Sequence, residues 1–539
     1  MAKIGKHVID SLTRSMYEDS RCIFREYIQN AADQIDIAKE QHLEDNDYYE
    51  IHVRIFRSQN RIEIEDTATG VSASQRDTLK DVASSQKQRG KSKGFRGIGR
   101  LGGLGYCKTL TFETSFKGEN VKTLMHWDAD KMNKIVDDEQ DDSEAGNVID
   151  DCTSFENQPE AIDKHYFKVI MEDVTDERLL DVENIRDYLS MISPVDYPTQ
   201  FSVFASQIKR FAQENGITLD TYNIYVGDEN GEEQIYKGYT TKIKDTRNIK
   251  EKERNGEYDI KAIKFLKRCD DDGNIIYWGW YSISELPGQI PSSNYAYGIR
   301  LRCKNIQLGD ESTTKTFFLA EGDKRFAQWF YGELFVETPL LVPDARRDYL
   351  RECEYRATFE RMVRDDFTVL KDLCNEASSV RGILRELQKA NDGQKNIEKK
   401  REKGTFLSPK EKDDSDQKFL QFKENKEKAL KKFEKKKAEM KQKDSPLTFI
   451  YDSIDTEQSG NSTINPIQTN NMGGESEFPA MVSDVPVASE LRTDKEIYNK
   501  FGQKEKEVIN AVYNAIYNAI ADEDMREGLI KKIEKELTK

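Results

Sequence analysis

Histidine is scarce, with five residues in 539, so a His-based metal centre or a Ser-His-Asp mechanism has little material. The seven cysteines, Cys22, Cys107, Cys152, Cys269, Cys303, Cys353 and Cys374, are scattered and never form a C-x-x-C pair. That spacing excludes a zinc ribbon and reads as reduced thiols. No apolar run approaches the roughly 18 residues of a membrane span. The opening MAKIGKHVID lacks the apolar stretch of a signal peptide. The expectation is a soluble, cytoplasmic protein with no membrane partner. Positive charge is also in deficit, at a net charge of -16, which excludes a generic polyanion binder and leaves only local basic patches.

Apolar residues make up 36% and charged residues 34% of the chain, which suits globular domains joined to long solvated helices. Residues 1–178 alternate helical and strand patterns and hold the glycine-rich motifs, so they read as one α/β domain. Residues 179–355 form a second mixed region: a helical VENIRDYLSMI, then the strand-like runs YNIYVG, IIYWGWYSI and YGIRLRCKNIQL. Residues 356–445 are helical in pattern and charged, either a coiled-coil arm or a single solvated helix. Residues 446–488, rich in Ser, Asn, Gly and Thr, read as a flexible linker. Residues 489–539 regain helical periodicity, with Val508, Val512, Ile516 and Ile520 on one stripe.

Three motifs carry chemistry. In FREYIQNAADQID, Phe24, Ile28, Ala31 and Ile35 share one helix face, and Glu26, Asn30 and Asp33 share a second. Asn30 offers a neutral oxygen to Mg²⁺, and Glu26 lies one turn away to take a proton from water. An ordinary polar stripe has the same spacing. In RIEIEDTATGVS, Ile62, Ile64 and Asp66 alternate onto one strand face. Asp66 then needs a buried donor, which an adenine exocyclic amine supplies, and Gly70 permits close approach. A plain turn Asp followed by a turn Gly is the competing reading. In KGFRGIGRLGGLGYCKTLTFETS, Gly94, Gly97, Gly99, Gly102, Gly103 and Gly105 crowd ahead of a strand, and their N–H groups can wrap phosphate oxygens. The segment fits neither a Walker loop nor a Rossmann turn.

Taken in order, E-x-x-x-N-x-x-D, a strand ending D-x-x-x-G and a glycine-rich loop resemble the GHKL (Bergerat-fold) ATPase superfamily of gyrase B, heat-shock-90 chaperones, histidine kinases and MutL proteins. VIDSLTRSMYEDSRCIFREYIQNAADQ resembles the chaperone branch, while GFRGIGRLGG is similar to the MutL lid. ASSQK, with Ser85 and Lys87, is also similar to MutL. GYCKTLTFETS resembles the chaperone strand that gives a threonine to the adenine site, here Thr114. The resemblance implies ATP hydrolysis with Mg²⁺. Glu26 would be the general base, Asn30 the metal ligand and Asp33 its support. Asp66 and Gly70 would hold adenine, and Gly97, Gly99, Gly102, Gly103 and Gly105 the phosphates. The usual D-x-G-x-G departs here to D-T-A-T-G, with Ala68 in the first glycine position.

VETPLLVPDARRDYL resembles the chaperone middle-domain segment whose arginine reaches the γ-phosphate, which would be Arg347, with Arg346 as the alternate. GIRLRCKNIQLGD, from Gly298, resembles the strand pair before it. The implied fold class is α+β: a GHKL α/β sandwich, a ribosomal-S5-like middle domain and a charged helical C-terminal region. The implied function is a homodimeric, chaperone-like conformational clamp acting on a protein client. A DNA-directed MutL- or Morc-like ATPase is the alternative. A nucleotide-sensing scaffold with little hydrolysis is the reading from another class. Neither a phosphoacceptor-His helix nor a metal-carboxylate cleavage domain is visible, which argues against a histidine kinase and a type II topoisomerase.

Overall fold

The computed structural model describes residues 4–14, 16–82, 93, 99–249, 252–452 and 532–533. It comprises two units, Met1–Ile467 and Gln468–Lys539, and the description below concerns the first. The stripe at Val508, Val512, Ile516 and Ile520 lies outside the described residues, as do Ser85, Lys87, Gly94 and Gly97.

The chain opens with α1 (His7–Leu12) and α2 (Cys22–Glu40), then β1 (Glu50–Phe56) and β2 (Arg61–Asp66). After a 3-10 turn at Gly99–Gly105 come β3 (Thr109–Ser115), β4 (Val121–Asp128), α3 (Ala129–Asp137), α4 (Ala145–Asp151), β5 (Thr153–Pro159) and β6 (Tyr166–Glu172). Then follow α5 (Val182–Ile192), α6 (Ser202–Glu214), β7 (Asn223–Asp228) and β8 (Gly231–Gln234). These strands form one eight-stranded sheet in the order β5-β4-β3-β6-β2-β1-β7-β8. All neighbours are antiparallel except β1 and β7, which run parallel with Ile51 opposite Ile224 and Val53 opposite Val226. The first sheet therefore recruits strands from within the 179–355 stretch.

Period-two patterning explains the sheet's two faces. Ile51, Val53, Ile55, Ile62 and Ile64 are buried in a core shared with Phe24, Ile28 and Ile35 of α2. Each such side chain contributes about 1.5–3 kcal/mol of burial. On the opposite face Arg54 and Lys168 pair with Glu65 at 2.8 and 3.1 Å. The helix α2 stops where His42 turns left-handed (φ 49°) and the Leu43 amide donates back to the Ala38 carbonyl at 3.0 Å, a Schellman-type end.

A two-stranded ribbon follows, β9 (Lys242–Ile249) and β10 (Lys252–Asp259). A five-stranded sheet comes next, from β11 (Ala262–Cys269), β12 (Ile275–Ile283), β13 (Gly298–Cys303), β14 (Ile306–Gln307) and β15 (Tyr331–Val336), ordered β11-β12-β15-β13-β14. Its core is aromatic, and inside it lies a fully buried charge cluster. The Glu333 carboxylate accepts from Lys237 Nζ at 2.8 Å and Trp280 Nε1 at 3.0 Å, and from the Tyr197 hydroxyl, and it pairs with Arg302. Two cations on one carboxylate hold Glu333 well below the usual range, despite burial.

The helices α7 (Glu354–Lys403) and α8 (Pro409–Gln442) run antiparallel as a hairpin, with α9 (Thr448–Asp452) after them. Phe359, Val363, Phe367 and Leu370 of α7 and Phe433 and Met440 of α8 are buried with the five-stranded sheet's core. Arg401–Asp416 and Lys432–Glu386 pairs bridge the two helices at 2.5 and 2.8 Å. Among the described residues no helix is long and apolar enough to cross a membrane. All seven cysteines are free thiols.

Candidate functional site

The apolar stripe of α2 packs into the core beneath the sheet, and Ile23, Glu26 and Tyr27 of the same helix face the Gly99–Gly105 segment. Glu26 is 8% exposed, Asp33 5%, and Asn30 is half-buried. One carboxylate oxygen of Glu26, Oε1, is buried without a hydrogen-bond partner. Two guanidinium groups stand beside it, with Arg25 Nε and Arg347 Nε each at 3.8 Å. A buried carboxylate oxygen with a spare lone pair is able to accept a proton from water. Gly99 leaves room for it: a Cβ there would stand 2.5 Å from Glu26 Oε2.

Asp66 stands at the C-terminal end of β2, an interior strand of the sheet, where it is buried and accepts from the Ala68 amide at 3.1 Å. Gly70 has φ +66°, and a Cβ on it would lie 1.8 Å from the Ser115 carbonyl oxygen, so no side chain fits. Thr114 on β3 closes this corner: its hydroxyl accepts from the Val71 amide at 2.8 Å and donates to the Tyr166 carbonyl at 2.9 Å. Ala68 is fully buried, and its carbonyl is held by His165 Nδ1 at 2.6 Å. Asp66, Ala68, Gly70 and Thr114 thus meet at one place.

The other glycines of the Gly99–Gly105 segment lie against neighbouring residues. The Gly103 amide donates to the Tyr27 hydroxyl at 3.0 Å, and a Cβ on Gly103 would meet that hydroxyl at 2.5 Å. A Cβ on Gly105 would meet Arg14, and one on Gly102 would touch Ile23 at 3.4 Å. These three seat the segment on α2 and on Arg14, just beyond α1. Gly97 lies outside the described residues.

The second region reaches this site. Arg347 is 7% exposed and takes a left-handed backbone, φ +59°. Its Nη2 donates to the Lys93 carbonyl. Burial pulls its guanidinium below the usual arginine range, and Glu26 opposes that. Arg346 is exposed, and its carbonyl accepts from Arg25 Nη2 at 2.6 Å. The two arginines therefore sit differently: Arg347 points in, and Arg346 ties the loop to α2 by its backbone.

Sequence reasoning missed Lys93, Arg25 and Gln34. Lys93 is buried with its amide donating to Asp33 Oδ1 at 2.7 Å. Gln34 accepts from the Thr69 hydroxyl at 2.8 Å, joining α2 to the turn after β2. Arg25 could have been found only as the cation next to Glu26 in the FREYIQNAADQID motif. Lys93, inside KSKGFRG, carries no such mark.

Among the described residues no cluster of three or more His, Cys, Asp or Glu could hold a metal. The site's donor set, one carboxamide and flanking carboxylates, fits Mg²⁺ held mainly by phosphate oxygens and water. Among curated proteins none matches the chain. Residues 25–158 match the family described as histidine kinase-, DNA gyrase B-, and HSP90-like ATPase, a stretch that contains Glu26, Asn30, Asp33, Asp66, Gly70 and Thr114. That match supports a GHKL-type ATP-binding domain over residues 25–158.

Proposed function

We propose that this protein binds ATP between α2, the end of β2 and the Gly99–Gly105 segment, and hydrolyses it as a chaperone-like conformational clamp. Asp66 accepts the adenine amine, with Gly70 and Thr114 shaping the base pocket. Glu26 takes the proton of the attacking water through Oε1, which accepts no hydrogen bond. Asp33 supports the site through the Lys93 amide. Mg²⁺, when bound, would take the Asn30 oxygen and neutralise phosphate charge. Arg347 offers the γ-phosphate a charge-assisted bond that ADP cannot accept, so the ATP and ADP states differ in free energy. Residues 179–355 then act as the transducer, and two copies as the clamp.

The observation that carries this reading is the convergence of Arg347, from beyond β15, on Glu26 of α2 at 3.8 Å. A second-region cation on the candidate base is what coupling of hydrolysis to domain movement requires. The test separates binding from chemistry. Asp66→Asn should abolish ATP binding in calorimetry. Glu26→Ala should bind ATP normally and release no phosphate. Parental phosphate release from Glu26→Ala would refute the catalytic assignment.

A further inference from the structure

Lys93 is 6% exposed, and a buried lysine is costly unless its charge is fully met. Here it is met. Its Nζ lies 2.5 Å from Asp36 Oδ2, 3.3 Å from Asp220 Oδ2 and 5.0 Å from the centre of the Tyr222 ring. The Tyr222 hydroxyl donates to the other Asp36 oxygen at 2.5 Å, so the socket is itself braced. Asp36 belongs to α2, while Asp220 and Tyr222 precede β7, so the ammonium pins Lys93 between two parts of the chain distant in sequence.

The backbone of the same residue faces the candidate site. Its amide donates to Asp33 Oδ1 at 2.7 Å, and its carbonyl accepts from Arg347 Nη2. Asp33 and Asp36 are three residues apart on α2 and therefore share a face. One residue thus has its charge anchored in a socket while its peptide groups hold both a site carboxylate and the incoming arginine. From Lys93 and this socket we infer that Lys93 is a positioning residue, setting where the Arg347 guanidinium stands relative to Glu26. The inference rests on the reading of Arg347 given above.

The consequence is specific. A lysine acting only as structural support would weaken the protein whether or not Arg347 has its side chain. A lysine acting through Arg347 should matter to hydrolysis only while that guanidinium is present.

Two measurements on the full chain test it. The first is amide hydrogen exchange of nucleotide-free protein over residues 343–350, where the Asp344 amide bonds the Tyr349 carbonyl at 2.9 Å. Lys93→Ala should speed exchange there by about tenfold, and Lys93→Arg should restore most of the protection. The second is phosphate release. Lys93→Ala should lower kcat by about 10- to 100-fold with KM within about threefold, and in an Arg347→Gly background it should add less than about twofold. Unchanged exchange, or losses that multiply in the double variant, would overturn the inference. Should the parent protein release no phosphate, the proposed function falls, while the exchange measurement still decides Lys93. Should Lys93→Ala not fold, Asp220→Asn must loosen 343–350 in the same way, and parental exchange in that variant would equally overturn it.

Discussion

Replacing Gly70 by alanine is the sharpest perturbation that the site offers. The left-handed backbone at φ +66° costs an L-residue about 1–2 kcal/mol by itself. The added Cβ would overlap the Ser115 carbonyl oxygen at 1.8 Å and approach the Tyr166 carbonyl oxygen at 2.9 Å. Both obstacles are backbone atoms of paired strands, so neither can swing aside as a side-chain tip would. Relief requires the turn to move off β3 and β6. That movement breaks the Val71–Thr114 bond of 2.8 Å and strains the Thr114–Tyr166 bond of 2.9 Å. Leaving such buried groups unpaired costs about 1–3 kcal/mol each. The sum is about 3–8 kcal/mol, a large part of the roughly 5–15 kcal/mol that holds a native domain. At an m-value of about 3 kcal/mol/M, the urea midpoint should fall by about 1–3 M. The matched control is Gly102→Ala, whose Cβ would make an ordinary contact of 3.4 Å with Ile23. That control should shift the midpoint by less than about 0.3 M. Equal midpoints for the two variants, followed by circular dichroism, would refute the steric reasoning, and ATP binding by Gly70→Ala at parental affinity would remove Gly70 from the base pocket.

Arg347→Gly removes the guanidinium while easing the left-handed backbone. Phosphate release should drop by about 10- to 1000-fold with nucleotide affinity nearly intact, whereas Arg346→Ala, altering an exposed side chain, should leave the rate within about twofold. The reverse pattern would shift the register by one residue. Glu333→Gln strips Lys237 and Arg302 of their shared carboxylate and should destabilise the five-stranded sheet by about 3–5 kcal/mol in urea titration. The Glu333 carboxyl is held down to about 2 from 4.5, so its contribution is complete above pH 4.5 and is lost as pH falls through about 2. Burial pulls the Lys237 ammonium down to about 7 and Glu333 opposes that, so the parent's advantage over Glu333→Gln should hold or grow from pH 7 to pH 5, and a decline across that range would contradict the assignment.

The parts legible in the sequence were those fixed by local periodicity. The spacing of Phe24, Ile28, Ala31 and Ile35 is that of the buried face of α2, and its second stripe necessarily carries Glu26, Asn30 and Asp33 together. VENIRDYLSMI coincides with α5, and the strand runs near Asn223, Ile275 and Gly298 with β7, β12 and β13. What stayed hidden depends on contacts between residues far apart. Nothing in YNIYVG says that it pairs in parallel with β1. Lys93 looks like any surface lysine until Asp36 and Asp220 close on it. The glycines of GRLGGLG signal close approach, but the pattern does not say to what: Gly103 and Gly105 lie against Tyr27 and Arg14. Arg302 is a polar letter inside a strand-like run, Glu333 lies on β15 and Lys237 in the loop after β8, and only the fold shows that they neutralise one another.

The parallel pairing of β1 with β7 has a consequence for synthesis. On the ribosome, β1 and β2 emerge early, but the neighbour of β1 on its other side does not exist until Asn223–Asp228 is made. At about 5–20 residues per second that wait lasts about ten to thirty seconds. Throughout it the nascent chain carries Ile51, Val53 and Ile55 beside a bare hydrogen-bonding edge, the template on which other chains add. The eight-stranded sheet is thus completed from downstream. A message cut short before residue 223 would yield a sticky intermediate instead of a smaller stable domain.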